Sequence, residues 1–344
     1  MKKEKVKDNT AKRTQIAEIG KNELLKRLFE GTGYENHELD RISLQNTNII
    51  TESALLLEGV DFDLVYTPLK HLGYKTALFA MGPLYANCHA PLSLAYTLGI
   101  SARFAAEDIV EFFTGVVAAA KEHNIKNLSL DLKSSITGLA IGITAQGVQA
   151  AEVTASLPKI GKNDLLCITG NLGAAYMGLH VLEREKAAFN KIPADQAANY
   201  IQPDLSKYKY VLSQFLSPEI NPKTIEQFKE AGLYPCAGYF ITRGLAHAVK
   251  SLCENAGLGA RIFLDKIPIA SQTFEMAKEI NIDAITAALN GGDDYKFLFA
   301  IPLSEHEKFH KEFPNVDIIG HLTAKENGAA LVTPEGALIE LKSL

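Results

Sequence analysis

The chain has 344 residues, 47% of them apolar, and a formal net charge of −5. That length allows about two domains at ~150 residues each, the apolar share suits two cores, and the negative balance argues against nucleic-acid binding as the main activity. No apolar run approaches the ~18 residues of a membrane span. Cys88, Cys167, Cys236 and Cys253 are too scattered for a disulfide framework or a zinc site, which points to reduced thiols and a cytoplasmic protein.

Residues 1–14 form a charged arm with no apolar segment behind it, unlike a signal peptide. A short helix is expected over 22–29, with Leu24, Leu25 and Leu28 inward. The stretch 31–43 is polar and loop-like; it holds His37 beside Glu38, with Asp40 close by, a grouping commoner on surfaces than at metal sites. A strand over 49–57 runs into Glu58-Gly59-Val60-Asp61-Phe62. Thr67 and Pro68 then open a helix, Thr67 as N-cap and Pro68 at the first helical position, and Pro83 is expected to interrupt it or to begin another turn.

Over 91–100, Leu92, Leu94, Tyr96, Leu98 and Ile100 alternate with small residues, so both faces of that strand are candidates for burial. An amphipathic helix over 105–123 and strands over 128–132 and 139–146 complete an α+β layer. The stretch 159–164 reads as a turn between an N-terminal domain, 15–155, and a C-terminal domain, 156–344.

In the second half a strand over 165–169 runs into Gly170-Asn171-Leu172-Gly173 and a helix over 174–188. A glycine turn at a helix N-terminus either presents free N–H groups to an anion or serves close packing. The region 203–230 is mostly helical, and a strand over 239–241 leads through Thr242-Arg243-Gly244 to a helix over 245–255. A strand over 260–264 and a helix over 275–289, broken near Asn281, follow. Gly291, Gly292, Asp293 and Asp294 then stand directly before a β-rich run at 295–301. They form either a capped turn or a ligand-facing loop at a strand edge.

A helix over 305–313 and strands over 317–322 and 329–332 close the chain. His306 and His310 match the H-E-x-x-H zinc-protease pattern. Ser304 and Glu307, however, make a capping box, Phe309 and Phe313 a packing stripe, and no third ligand is evident, so the helix is read as structural.

With these elements placed, the chain resembles thiamine-monophosphate kinases, relatives of aminoimidazole ribonucleotide synthetase. The resemblance runs from Ile16 to Leu341 and rests on Glu58-Gly-Val-Asp-Phe62, Gly73-Tyr-Lys75, Gly170-Asn-Leu-Gly173, Gly291-Gly-Asp-Asp-Tyr295 and Ile319-Gly320. It implies an α/β (α+β) fold of two domains, an N-terminal sheet that builds a barrel in a homodimer, and a cleft for ATP, Mg²⁺ and a small phosphorylated substrate. It implies neither a nucleic-acid nor a membrane partner.

The same resemblance shows what has changed. Where the family has Gly-Asp-Asp, this chain has Asn36-His37-Glu38, leaving Glu38 as the oxygen ligand. The strand acid is replaced at Ser53-Ala54, and the next helix reads Ala80-Met81-Gly82-Pro83 in place of Asn-x-Ser-Asp. Asp131 survives for metal or nucleotide, without its flanking glycines. Thr242 and Arg243, with Gly170, are the positions for ATP or phosphate, Arg243 standing where a metal ligand is expected. Asp61, Asp293 and Asp294 are the positions for substrate. Mg²⁺ binding is accordingly expected to be weak or absent, and no catalytic residue is assigned.

Overall fold

The computed structural model describes residues 14–34, 46–192 and 204–342. After helix α1 (Ile16–Phe29), kinked at Gly20, come β1 (Thr47–Leu57), α2 (Leu69–Ala86), β2 (Ala90–Ile100), α3 (Ala106–Glu122), β3 (Asn127–Ser134) and β4 (Leu139–Ala150). The strands form a four-stranded sheet in the order β1-β4-β2-β3, antiparallel except for β2 and β3. Helices α2 and α3 cover one face, and glycines bring them together. A Cβ on Gly73 would lie 1.9 Å from the Phe112 carbonyl oxygen, and one on Gly115 1.9 Å from that of Lys70. Leu94, Tyr96, Leu98, Ile141 and Ile143 pack beneath the helices. The other face, with Ala95 and Thr97 of β2, is exposed rather than buried.

The second sheet begins after the short helix α4 (Ala151–Ser156), which the sequence did not signal. Its elements are β5 (Leu165–Thr169), α5 (Ala174–Phe189), α6 (Lys209–Leu216), α7 (Thr224–Ala231), β6 (Ala237–Ile241), α8 (Leu245–Ala256), β7 (Gly259–Phe263), α9 (Ser271–Glu279), α10 (Ala284–Asn290), β8 (Lys296–Ile301), α11 (His306–Glu312), β9 (Val316–Thr323), β10 (Ala329–Val332) and β11 (Leu338–Glu340). The order of the seven strands is β11-β10-β7-β9-β5-β8-β6.

Period-two alternation sends the residues of β8 to two different cores. Phe297, Phe299 and Ile301 join the core of α2 and α3, whereas Leu298 and Ala300 join Leu245, Val249 and Leu252 of α8. Gly82 of α2 leaves room for Phe240, whose ring carbons would lie 2.3 Å from a Cβ there.

Three local expectations are corrected. Helix α2 runs through Pro83 to Ala86, because Met81, Leu84, Tyr85 and Ala86 are all buried and their packing outweighs one lost backbone bond. Its N-cap is Pro68, and the Thr67 hydroxyl, buried without a partner among the described residues, does not cap it. Helix α11 starts at His306 behind a 3-10 turn over Leu303–Glu305, so the Ser304–Glu307 capping box does not form. The His306 and His310 rings lie parallel, 6.4 Å apart. Among the described residues no three His, Cys, Asp or Glu side chains gather as a metal site.

Candidate functional site

Gly244 and Gly292 set up the site. Both have positive φ, and a Cβ on Gly292 would lie 2.7 Å from the Thr242 carbonyl oxygen, one on Gly244 2.3 Å from that of Leu289. Glycine is therefore required for the β6–α8 turn and the loop before β8 to lie backbone against backbone. The Asp293 amide donates to the Thr242 carbonyl at 3.0 Å and the Tyr295 amide to that of Ile241 at 3.0 Å. This holds Asp293 at a φ of 59°, a conformation that Asp tolerates better than most residues.

These segments meet α2 and the β1–α2 loop around a cavity of about 190 Å³ lined by Asp61, Lys75, Phe215, Thr242, Arg243 and Asp293. Lys75 Nζ lies 3.0 Å from Asp293 Oδ2 and 4.0 Å above the Phe215 ring. Its side chain is only 12% exposed, against 34% for Asp293. Asp61 accepts a hydrogen bond from the Leu57 amide at 2.7 Å and so fixes its own turn. The loop is clipped to α5 by Lys186, 2.6 Å from Asp63 Oδ2, and by the Tyr66 hydroxyl, which donates to Glu183 at 2.6 Å. Burial alone would raise the Asp63 pKa, but the bonds from Lys186 and the Val65 amide outweigh it and the net shift is downward.

Four of the residues singled out in the sequence thus share one cavity: Asp61, Thr242, Arg243 and Asp293. Asp294 does not line it. It points under the start of α5, where Oδ1 accepts from the Gly173 amide at 2.9 Å. It is 3% exposed, Oδ2 has no hydrogen-bond partner among the described residues, and burial pushes its pKa up to about 8 against the opposing pull of the Gly173 amide. A carboxyl of this protein therefore occupies the α5 N-terminus where an anion was envisaged.

Gly170 lies apart as well. It packs on the stem of Lys296, and a Cβ there would be 3.4 Å from Cδ and Cε. Asp131 sits on the edge strand β3, 44% exposed and 3.3 Å from Lys133 Nζ. It does not line the cavity. Glu38 lies outside the described residues. Lys75 was the functional candidate that sequence patterning did not single out. It belongs to the matched Gly73-Tyr-Lys75 motif, but its pairing with a residue 218 positions away is visible only in three dimensions.

Among the described residues the cavity's donor set does not fit Mg²⁺. Among the described acids of the cavity, Asp293 is held by Lys75 and Asp61 by a backbone amide, whereas Mg²⁺ needs oxygen ligands in near-octahedral array. The space is also below the ~300 Å³ of a typical small-molecule pocket. It suits a phosphoryl group or a small head group better than a whole nucleotide.

No family model matches the chain. It is 26% identical over 302 residues to a putative hydrogenase expression/formation protein of Methanocaldococcus jannaschii, covering 84% of this chain and 81% of that one. To the thiamine-monophosphate kinase of Aquifex aeolicus it is 21% identical over 299 residues, covering 86% and 89%. Among solved structures, that of AaThiL complexed with AMPPCP and TMP aligns with a TM-score of 0.70 at 18% identity, covering 96% and 98%. The chain is thus similar in sequence to thiamine-monophosphate kinases and to a hydrogenase expression/formation protein, and its fold is the two-domain aminoimidazole ribonucleotide synthetase-like fold.

Proposed function

We propose that this kinase-like protein binds a small phosphorylated molecule through the cavity at Arg243, and that Mg²⁺-dependent phosphoryl transfer from ATP has been largely lost. The observation that carries this reading is the Lys75–Asp293 ion pair. A protein cation sits on the carboxylate that phosphoryl transfer would need for metal or substrate. Arg243, exposed at the cavity rim, offers a fixed fork of donors that suits phosphate. Thr242 adds a hydroxyl beside it, and Asp61 lines the same cavity.

Phosphoryl transfer depends on neutralising the phosphates and aligning donor with acceptor. Losing metal neutralisation removes several kcal/mol, and each ~1.4 kcal/mol is a factor of ten in rate. Turnover is therefore expected to fall on the order of a thousandfold or more below that of a working kinase.

The competing reading is an ATP-dependent thiamine-phosphate kinase, favoured by the names of its relatives and by the ligands of the AaThiL complex. Measuring thiamine diphosphate formed from thiamine monophosphate, ATP and Mg²⁺ decides between them. A rate typical of working kinases would overturn the binding reading.

We also propose that the exposed face of the four-stranded sheet pairs two copies of this chain. Leu55 is 62% and Ile49 52% exposed there on β1, across β4 from the exposed small residues Ala95 and Thr97 of β2. The two sheets would then mark two domains, 15–155 and 156–344. No helix among the described residues is long and apolar enough to cross a membrane.

A further inference from the structure

A second cavity, of about 500 Å³, shares only Tyr295 with the one at Lys75 and Asp293. Its volume lies within the ~300–1,000 Å³ of ordinary small-molecule pockets. The rings behind it, Phe228, Phe299 and Phe309, are buried on one another and on Phe313 and turn no open face to a ligand. Charge, not stacking, therefore decides what this cavity can hold.

Lys296, the first residue of β8, is the one cation among the described lining residues. Its stem packs on Gly170, where a Cβ would lie 3.4 Å from Cδ and Cε. Beside it the Thr169 hydroxyl accepts from the Phe297 amide at 2.8 Å and joins the end of β5 to β8. Among the described residues the Lys296 ammonium makes no hydrogen bond and no ion pair. Burial works against its charge, and Asp294 and Glu219 work in favour of it. Three exposed carboxylates also line the space: Glu219, Glu312 and Glu122, which accepts from the Tyr74 hydroxyl at 2.7 Å.

We propose that this cavity binds a small aliphatic amino acid with a basic side chain, a molecule with one carboxylate and two amines. Its carboxylate meets Lys296, and its amines meet Glu219 and the neighbouring glutamates. A ligand with carboxylates alone faces three acids with one amine to hold it. A ligand with amines alone is repelled by Lys296 and leaves that ammonium without an acceptor, which is costly for a largely buried charge. One anionic and two cationic groups complement the one cation and the surplus of acids in the lining. Nothing in this site depends on the phosphate reading of the other cavity.

Calorimetry of the full-length protein with L-lysine, cadaverine and 6-aminohexanoate tests the proposal without ATP, Mg²⁺ or any phosphate. Cadaverine lacks only the carboxylate of lysine, and 6-aminohexanoate only its α-amine. Lysine should bind at least tenfold more tightly than either. Lys296→Met should weaken lysine about tenfold or more and leave cadaverine no weaker, because cadaverine loses a repulsion and no partner. Glu219→Gln should weaken both. Glu219 is exposed, so its variant is expected to fold normally and, with the three-probe comparison, keeps the test valid if Lys296→Met is unstable. Equal binding of all three probes, no binding of any, or unchanged lysine affinity in either folded variant would overturn the assignment.

Discussion

Lys75 Nζ lies 3.0 Å from Asp293 Oδ2 and ties α2 of the first sheet to the loop that feeds β8 of the second. The lysine is largely buried and also sits on the Phe215 ring. Removing one partner of such a pair strands the other in a poorly solvated place. Lys75→Met should therefore destabilise the protein by about 1–3 kcal/mol, below the range for fully buried pairs because Asp293 is a third exposed. The double variant Lys75→Met/Asp293→Asn should recover part of the loss. Denaturant midpoints of the four proteins in this cycle give the coupling, and strict additivity would show that the pair does not matter.

Asp294 makes stability fall as pH rises. Its folded pKa, pushed up to about 8 by burial, exceeds the ~3.9 of an unfolded aspartate. The folded state then holds the extra proton between those values, and stability declines with pH across that window. Asp294→Asn, which keeps an acceptor for the Gly173 amide, should flatten the decline. Melting temperatures of both proteins from pH 5 to 9 check this; parallel curves would show that Asp294 does not titrate there.

Asp63 acts in the opposite direction. Its folded pKa is lowered, so its contribution is present above the unfolded value of ~3.9 and is lost as pH falls through the folded value. Asp63→Asn should reduce the stability lost on acidification below about pH 4. The same change should speed proteolysis of the 59–68 loop at neutral pH, since it breaks the clip to Lys186.

Arg243→Ala should weaken binding of a phosphorylated ligand by at least tenfold, the lower end of what a charge-assisted bond contributes. Mg²⁺ should not tighten that binding. Calorimetry with ATP and with thiamine monophosphate, each with and without Mg²⁺, provides the check. A strong Mg²⁺ dependence would reinstate a metal-using kinase.

Leu55→Glu should leave the protein as a monomer in sedimentation experiments at concentrations where the unaltered chain is a dimer. The side chain points away from α2 and α3, so the fold itself should tolerate the change.

Most of the fold could be read from the chain. Alternation of apolar residues marked β2, period-3.6 stripes marked α3 and α8, and Asn281, at a φ of 56°, separated α9 from α10 as expected. These signals are local, so a linear reading captures them. Glycines and acids before β8 also flagged a site. Their division of labour was not legible: Asp293 faces Lys75, while Asp294 is buried under α5. Gly292, Asp293 and Tyr295 all have positive φ, so no strand periodicity assigns the two directions, and only packing decides which acid meets the cavity and which a helix terminus. The partners of Asp293, Asp63 and Asp294 lie 218, 123 and 121 positions away. The sequence by itself supplied most of the elements and the resemblance; tertiary contact alone determined which charges meet, because Coulomb and hydrogen-bond energies depend on distance in space and not on distance along the chain.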